Sequence, residues 1–351
     1  MRFRRNTAIT VAGAGSVGCY VGALLAASGR KVTLLSRAPL AEAIARHGIR
    51  VSDLEGRDTT VPPTALTATT DASAALHGAK IVLVTVKSRD TETMAQLIKA
   101  YTAKDAVVVS LQNGVDNALV LRRVLGSKRR VVAAMVPFNV VQNRESSEVP
   151  RFHRATSGVI RIQTGVEGLR KLLNVKGARV AEHPDIEAAM WGKLLVNLNN
   201  ALNALSDLPL HQQLRDRRWR LLMSRQMREG LAVLRAAGVR PAPVEGVPPG
   251  LMAFALRLPD ALFRLAARGM LAVDKNARSS MWDDLRMGRP TEIDQLQGEI
   301  VRLAAGHAIP APLNRGVLDL VKEAEEAQNG SPGLSPEAIG ARALRPQPEA
   351  S

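Results

Sequence analysis

The stretch Val11-Ala12-Gly13-Ala14-Gly15-Ser16-Val17-Gly18 constrains this chain more than any other. Ala8-Ile9-Thr10-Val11 before it reads as a short buried strand. Cys19 to Ala27 after it reads as a helix that stops at Ser28-Gly29. The order is strand, glycine-rich turn, helix. In such a turn the first glycine permits the tight bend and the second lets the backbone approach a pyrophosphate. The third lets helix and strand pack closely, and the helix N-terminus faces the anion. A bare Gly-x-Gly-x-x-Gly is weak evidence, but here the flanking context is the required one. Gly13, Ala14, Gly15, Ser16, Val17 and Gly18 are therefore candidate dinucleotide-binding residues.

The next apolar run, Lys31-Val32-Thr33-Leu34-Leu35, ends in Ser36-Arg37. A site that prefers NAD usually has Asp or Glu at this strand end, on the ribose 2′-hydroxyl. Here the position lacks a carboxylate, and Arg37 can pair with a 2′-phosphate. The expected cofactor is NADP(H).

Further apolar runs at 79–86, 107–111 and 130–135 alternate with helical segments, as in a parallel sheet covered on both faces. Residues 150–182 read as short strands around a helix at 166–173, completing the sheet with antiparallel additions. From about His183 helical periodicity dominates, with helices expected over 185–206, 212–237, 250–272, 275–287, 290–306 and 312–326. The fold class is α/β, an N-terminal Rossmann-type domain over 1–183 and an all-helical domain over 184–328. Residues 329–351, rich in Pro, Gly, Ser and Ala, are expected to be a disordered tail.

At 351 residues the chain can build two cores. A single cysteine, Cys19, rules out a disulfide framework and reads as a small packed side chain. The N-terminus is basic but has no apolar signal segment, so a cytoplasmic protein is expected. The run 250–272 is very apolar, yet charges and Pro259 interrupt it. That argues against a membrane span and for packing on the second domain or on a second subunit. The formal net charge of +16 raises the question of nucleic acid. The basic runs are short and lack interleaved aromatics, so neither a nucleic-acid nor a membrane partner is expected. Attraction of anionic cofactors and substrates suffices.

A second informative site is Met190-Trp191-Gly192-Lys193-Leu194-Leu195-Val196-Asn197-Leu198-Asn199-Asn200. At 100° per residue, Asn197 lies about 40° from Lys193 and Asn200 about 20° to the other side. Solvated stripes usually carry Glu, Lys and Arg rather than Asn, so this reads as a ligand-binding face. A third cluster runs from Ser279-Ser280-Met281 to Pro290-Thr291-Glu292-Ile293-Asp294. Taken alone, its second half reads as a helix start with acid in the first turn.

Together these sites resemble the ketopantoate reductase (2-dehydropantoate 2-reductase) family, to about residue 326. The resemblance rests on the glycine turn, Arg37, Val86-Lys87, Gln112-Asn113-Gly114, Lys193-x-x-x-Asn197 and Ser279-Ser280-Met281…Thr291-Glu292-Ile293-Asp294. It implies NADPH-dependent reduction of ketopantoate to pantoate, on the route to pantothenate and coenzyme A, in a cleft between the domains. Lys193 would be the proton donor. Arg37 would hold the 2′-phosphate, with Lys87, Asn113 and Glu292 along the cofactor. Asn113, Asn197, Asn200 and Ser280 would hold the substrate. No metal is implied. A homodimer is compatible with the sequence, which does not fix the assembly. The family often places a second amide where this chain has Ala201, and Asn200 is the nearest substitute. Two alternatives stay open: reduction of a different 2-oxo acid, and a non-catalytic NADP-binding protein.

Overall fold

The computed structural model describes residues 3–143, 148–266 and 277–343. The chain forms two compact units, Met1–Ile186 and Glu187–Ser351.

Twelve strands lie in the first unit: β1 (Ile9–Ala12), β2 (Val32–Leu35), β3 (Ile49–Asp53), β4 (Asp58–Val61), β5 (Thr67–Thr69), β6 (Ile81–Val84), β7 (Val107–Ser110), β8 (Arg130–Met135), β9 (Val140–Asn143), β10 (Arg151–Arg154), β11 (Ile160–Gln163) and β12 (Val180–His183). Eight form one sheet in the order β12-β11-β8-β7-β6-β1-β2-β5. All its pairings are parallel except β11 against β8. The central strands are apolar throughout because both faces are covered; all four residues of β6 are buried. From β1 the chain goes to β2 on one side and later returns to β6 on the other. The β1–β6 border is thus the switch point, where ligands bind beyond the strand ends.

A second, four-stranded sheet, β4-β3-β10-β9, was not anticipated from the sequence. Its β10 was expected to extend the main sheet but pairs in parallel with β3. Helix α1 (Ser16–Ala27) packs between the sheets, and its Tyr20 hydroxyl donates to the Gly177 carbonyl at 3.2 Å. Cys19 is fully buried in α1, and burial raises its thiol pKa.

The other helices of this unit are α2 (Ala38–His47), α3 (Ala72–Leu76), α4 (Thr91–Tyr101), α5 (Asn117–Leu125) and α6 (Leu169–Leu173). The second unit is helical: α7 (Ile186–Asn197), α8 (Asn199–Ser206), α9 (Leu210–Arg215), α10 (Arg217–Ala236), α11 (Pro249–Ala255), α12 (Asp260–Ala266), α13 (Ser280–Arg286), α14 (Gln297–Gly306), α15 (Pro312–Ala327) and α16 (Pro336–Ala343).

Five expectations change. The helix expected over 212–237 is two, α9 and α10, divided at Asp216, whose side chain accepts from the Arg218 N–H. The single helix over 185–206 is interrupted at Leu198. The apolar run 250–272 begins as two short helices, because Pro259 cannot continue α11. Buried Arg220 ties their junction down, donating to the Leu258 carbonyl at 3.0 Å and to Asp260 at 2.7 Å. Residues 267–276, which hold the end of that run and the start of the helix expected at 275, lie outside the described residues. The helix expected from 290 begins with a single 3₁₀ turn, Ile293–Gln295, ahead of α14. The expected disordered tail is ordered at least to Ala343. Leu334 donates its N–H to the Leu205 carbonyl at 2.8 Å, and Ile339 is fully buried. Residues 344–351 lie outside the described residues. No helix among the described residues is long and apolar enough to cross a membrane.

Candidate active site

In the first unit the glycine turn lies at the carboxyl end of β1, beside that of β6. Gly13 has φ +82°, and a Cβ there would come within 2.1 Å of Val86 Cγ1. The Thr85 hydroxyl donates to the Gly13 carbonyl at 2.8 Å, holding the turn on the strand that follows in the sheet. A Cβ on Gly18 would meet Thr85 Oγ1 at 2.3 Å, so only glycine lets α1 approach this closely. A Cβ on Gly15 would meet nothing nearer than the Gly13 carbonyl oxygen at 4.0 Å. The first α1 turn has no side-chain cap and no acid. Cys19 donates to the Gly15 carbonyl at 2.8 Å. The N–H groups of Ser16, Val17 and Gly18 precede that first helical bond and point out of the helix end. Such a helix end can take an anion.

At the end of β2 the Ser36 hydroxyl oxygen is buried without a hydrogen-bond partner. Arg37 next to it is exposed and has no ion-pair partner among the described residues. An orphaned hydroxyl beside an available guanidinium suits a phosphate group. The observed turn, helix end and β2 terminus therefore fit a nicotinamide dinucleotide.

Lys87 and Asn113, both half-buried, sit on the loops after β6 and β7. A buried network joins these loops. The Gln112 amide donates to the Val86 carbonyl at 3.0 Å and to Thr91 Oγ1 at 2.7 Å. The Asn117 amide donates to Ser88 Oγ at 2.9 Å and to the Asn113 carbonyl at 2.5 Å. Thr91 and Asn117 were not visible as site residues, because their partners are brought together only by the fold.

In the second unit Lys193 is half-buried on α7. Burial drives its pKa from 10.5 down to about 8, partly opposed by the negative charge of Glu292. Asn197 is one turn further on the same helix, also half-buried, and its side-chain amide has no protein partner among the described residues. Stepping at 100° per residue holds as far as Asn197. The interruption at Leu198 means that Asn200, the first turn of α8, no longer follows from it. The Asn200 amide is likewise without a protein partner among the described residues.

Ser279, buried, caps α13 by accepting from the Trp282 N–H at 3.2 Å. Fully buried Asn203 accepts from the Ser279 N–H at 2.8 Å and donates to the Leu208 carbonyl at 2.8 Å. These bonds fasten the start of α13 to α8, so Ser280 stands next to the Asn200 turn with its side chain exposed. Asn203 was missed in the sequence, although it lies one turn beyond Asn200. Glu292 is half-buried just before the 3₁₀ turn. Lys193, Asn197, Asn200, Ser280 and Glu292 thus belong to one unit, and the glycine turn, Arg37, Lys87 and Asn113 to the other. Among the described residues no cluster of His, Cys, Asp or Glu could hold a metal ion.

Residues 9–165 match the profile of the family "Ketopantoate reductase PanE/ApbA", and residues 185–325 that of its C-terminal domain. A 2-dehydropantoate 2-reductase of Archaeoglobus fulgidus is 28% identical over 332 residues, 93% of this chain and 99% of the relative. A PanE/ApbA family ketopantoate reductase from Ralstonia eutropha JMP134 superimposes with TM-score 0.76 and 34% identity, covering 92% of this chain and 99% of the other. A D-mandelate dehydrogenase solved with NADH and anilino(oxo)acetate shares the fold, with TM-score 0.74 and 20% identity over 92% of this chain and 99% of that one. With both profiles matched in order along most of its length, and with a nicotinamide dinucleotide as the cofactor its glycine turn fits, this chain belongs to the ketopantoate reductase family of oxidoreductases.

Proposed function

We propose that the protein reduces a 2-oxo acid with NADPH, and that the acid is ketopantoate. The observation that carries this reading is Lys193: a half-buried lysine brought down to about pKa 8, facing the charge of Glu292 and one turn from an amide with no protein partner. Such a lysine is mostly protonated at neutral pH yet releases its proton far more readily than a solvated one, as a general acid must. The names of the curated relatives support ketopantoate as the substrate.

Bound NADPH would supply the hydride to the ketone carbon. The chain's own residues do the rest. The Lys193 ammonium stabilises the negative charge that builds on the ketone oxygen, then passes its proton from Nζ to that oxygen. Glu292 keeps the lysine charged. Asn197, Asn200 and Ser280 hold the carboxylate and hydroxyl of the acid, with Asn113 assigned as a further substrate ligand, so that the carbonyl carbon presents one face to the nicotinamide. The Ser16–Gly18 amides take the pyrophosphate and Arg37 the 2′-phosphate. Lys87 lines the cofactor. The reaction is read as cytoplasmic.

One observation favours a second reading, a different 2-oxo acid. Ala201 is fully buried, so the position where the family often carries an amide offers none here. Steady-state NADPH oxidation against ketopantoate, pyruvate and a set of branched and aromatic 2-oxo acids decides between the two. Ketopantoate is expected to give the highest kcat/KM. A wide margin for another acid would keep the reaction and replace the substrate, and no turnover with any of them would remove both readings.

A further inference from the structure

Gln297, the first residue of α14, is fully buried. Its amide nitrogen donates to the carbonyl of Leu198 at 2.8 Å, at the residue where the α7–α8 run is interrupted. Its side-chain oxygen is buried with no hydrogen-bond partner. A buried amide that satisfies only one of its ends costs stability, and a well-packed apolar side chain of similar size would cost less. The residue is therefore poorly explained by packing alone.

Its place in the two chain segments supplies the explanation. Lys193 lies five residues before Leu198, and Glu292 five residues before Gln297. The attraction between Glu292 and Lys193 and the bond between Gln297 and Leu198 are two links between the same two segments. The residues flanking the second link in the two segments are apolar: Leu198, Ile293, Leu296 and Ile300 are all buried. Apolar packing tolerates sliding, whereas a 2.8 Å bond to one carbonyl does not.

We propose that Gln297 is a positioning residue, whose bond to the Leu198 carbonyl fixes the segment carrying Glu292 in register against the helix carrying Lys193. The inference rests on the reading of Lys193 as the proton donor and adds to it a residue that touches neither substrate nor cofactor.

The test is a double-mutant cycle between Gln297→Met, which keeps bulk and removes the donor, and Glu292→Gln. In the otherwise native protein Gln297→Met is expected to lower kcat about 10-fold, as small misplacements near the chemistry do. On the Glu292→Gln background the same substitution should cost less than about 2-fold, because its effect runs through Glu292. Independently of turnover, an NMR titration of ¹³C-methylated lysines should find the Lys193 pKa lower in Gln297→Met, as it should in Glu292→Gln.

Equal losses on both backgrounds, an unchanged kcat, or an unchanged Lys193 pKa would each overturn the proposal. If Gln297→Met fails to fold, Gln297→Asn, whose amide falls one methylene short, carries the same cycle. Lys193→Ala, run alongside, separates the two ideas. Near-normal turnover there overturns the proton-donor reading, whereas additive losses with an inactive Lys193→Ala overturn the positioning role alone.

Discussion

The hydroxyl of Ser279 donates to the main-chain carbonyl of Asn200 at 3.0 Å, so the residue that caps α13 also grips the first turn of α8. Ser279→Ala removes both bonds. Loss of the cap alone typically costs about 1 kcal/mol. A lower melting temperature is expected, together with a higher KM for the 2-oxo acid, since Ser280 and Asn200 lose their common tie. NADPH affinity measured by fluorescence titration should not move. A change in NADPH affinity as large as that in KM would contradict this placement.

Cofactor choice follows from Ser36 and Arg37. NADPH is expected to bind at least about 10-fold more tightly than NADH, the scale of one charge-assisted pair with a phosphate. Ser36→Asp combined with Arg37→Ala should shrink or reverse the ratio. Equal affinities in the unaltered protein would remove the 2′-phosphate site from β2.

Lys193→Ala is expected to lower kcat by roughly 10²–10⁴-fold, the range for a lost general acid. NADPH binding should stay intact, because the turn at Gly13–Gly18 lies in the other unit. Asn197→Ala should act mainly through the KM of the 2-oxo acid, since an amide can hold substrate without moving a proton.

The pH profile has a definite sign. Reduction requires the protonated lysine, so the rate should be level at lower pH and fall as pH rises through the Lys193 pKa of about 8. Glu292 raises that pKa. In Glu292→Gln the descending limb should therefore move to lower pH. A limb that stays in place, or moves up, would separate Glu292 from the lysine.

Asn117→Ala unties Ser88 from the Asn113 carbonyl and leaves buried partners unsatisfied. A stability loss of about 1–3 kcal/mol is expected in chemical denaturation. It should come with weaker NADPH binding, because the loops bearing Lys87 and Asn113 lose their common tie. Unchanged NADPH affinity would make Asn117 a purely structural residue.

How much of this was legible in the sequence depends on the range of the interaction. The glycine turn was readable because its strand, bend and helix are contiguous and each glycine answers a local steric demand. Lys193 and Asn197 share a face by helical spacing alone. The small sheet was not readable. Its strands are short, and β3 finds β10 only after most of the first unit has been laid down. Gln297, Asn203 and Asn117 escaped for another reason. Each bonds a group far away in the chain that folding brings to it, Leu198, Ser279 and Ser88 respectively, and such a partner has no signature in a sequence. The interruption at Leu198 falls among Asn197, Asn199 and Asn200, whose side chains compete with the helical backbone, a local signal that apolar periodicity passes over.

The pairing of β3 with both β4 and β10 has a consequence for how the chain is made. Residues 49–61 can pair as a hairpin before β10 has been made, and the outer edge of β3 is then bare. The bare edge waits until Arg151–Arg154 emerges to cover it. Throughout that interval Ile49 and Val51, buried in the finished protein, border an open row of backbone donors and acceptors that any neighbouring strand can use. Slow translation between residues 61 and 151 should therefore favour aggregation of nascent chains, and substitutions that weaken β10 should lower yield well before they touch catalysis.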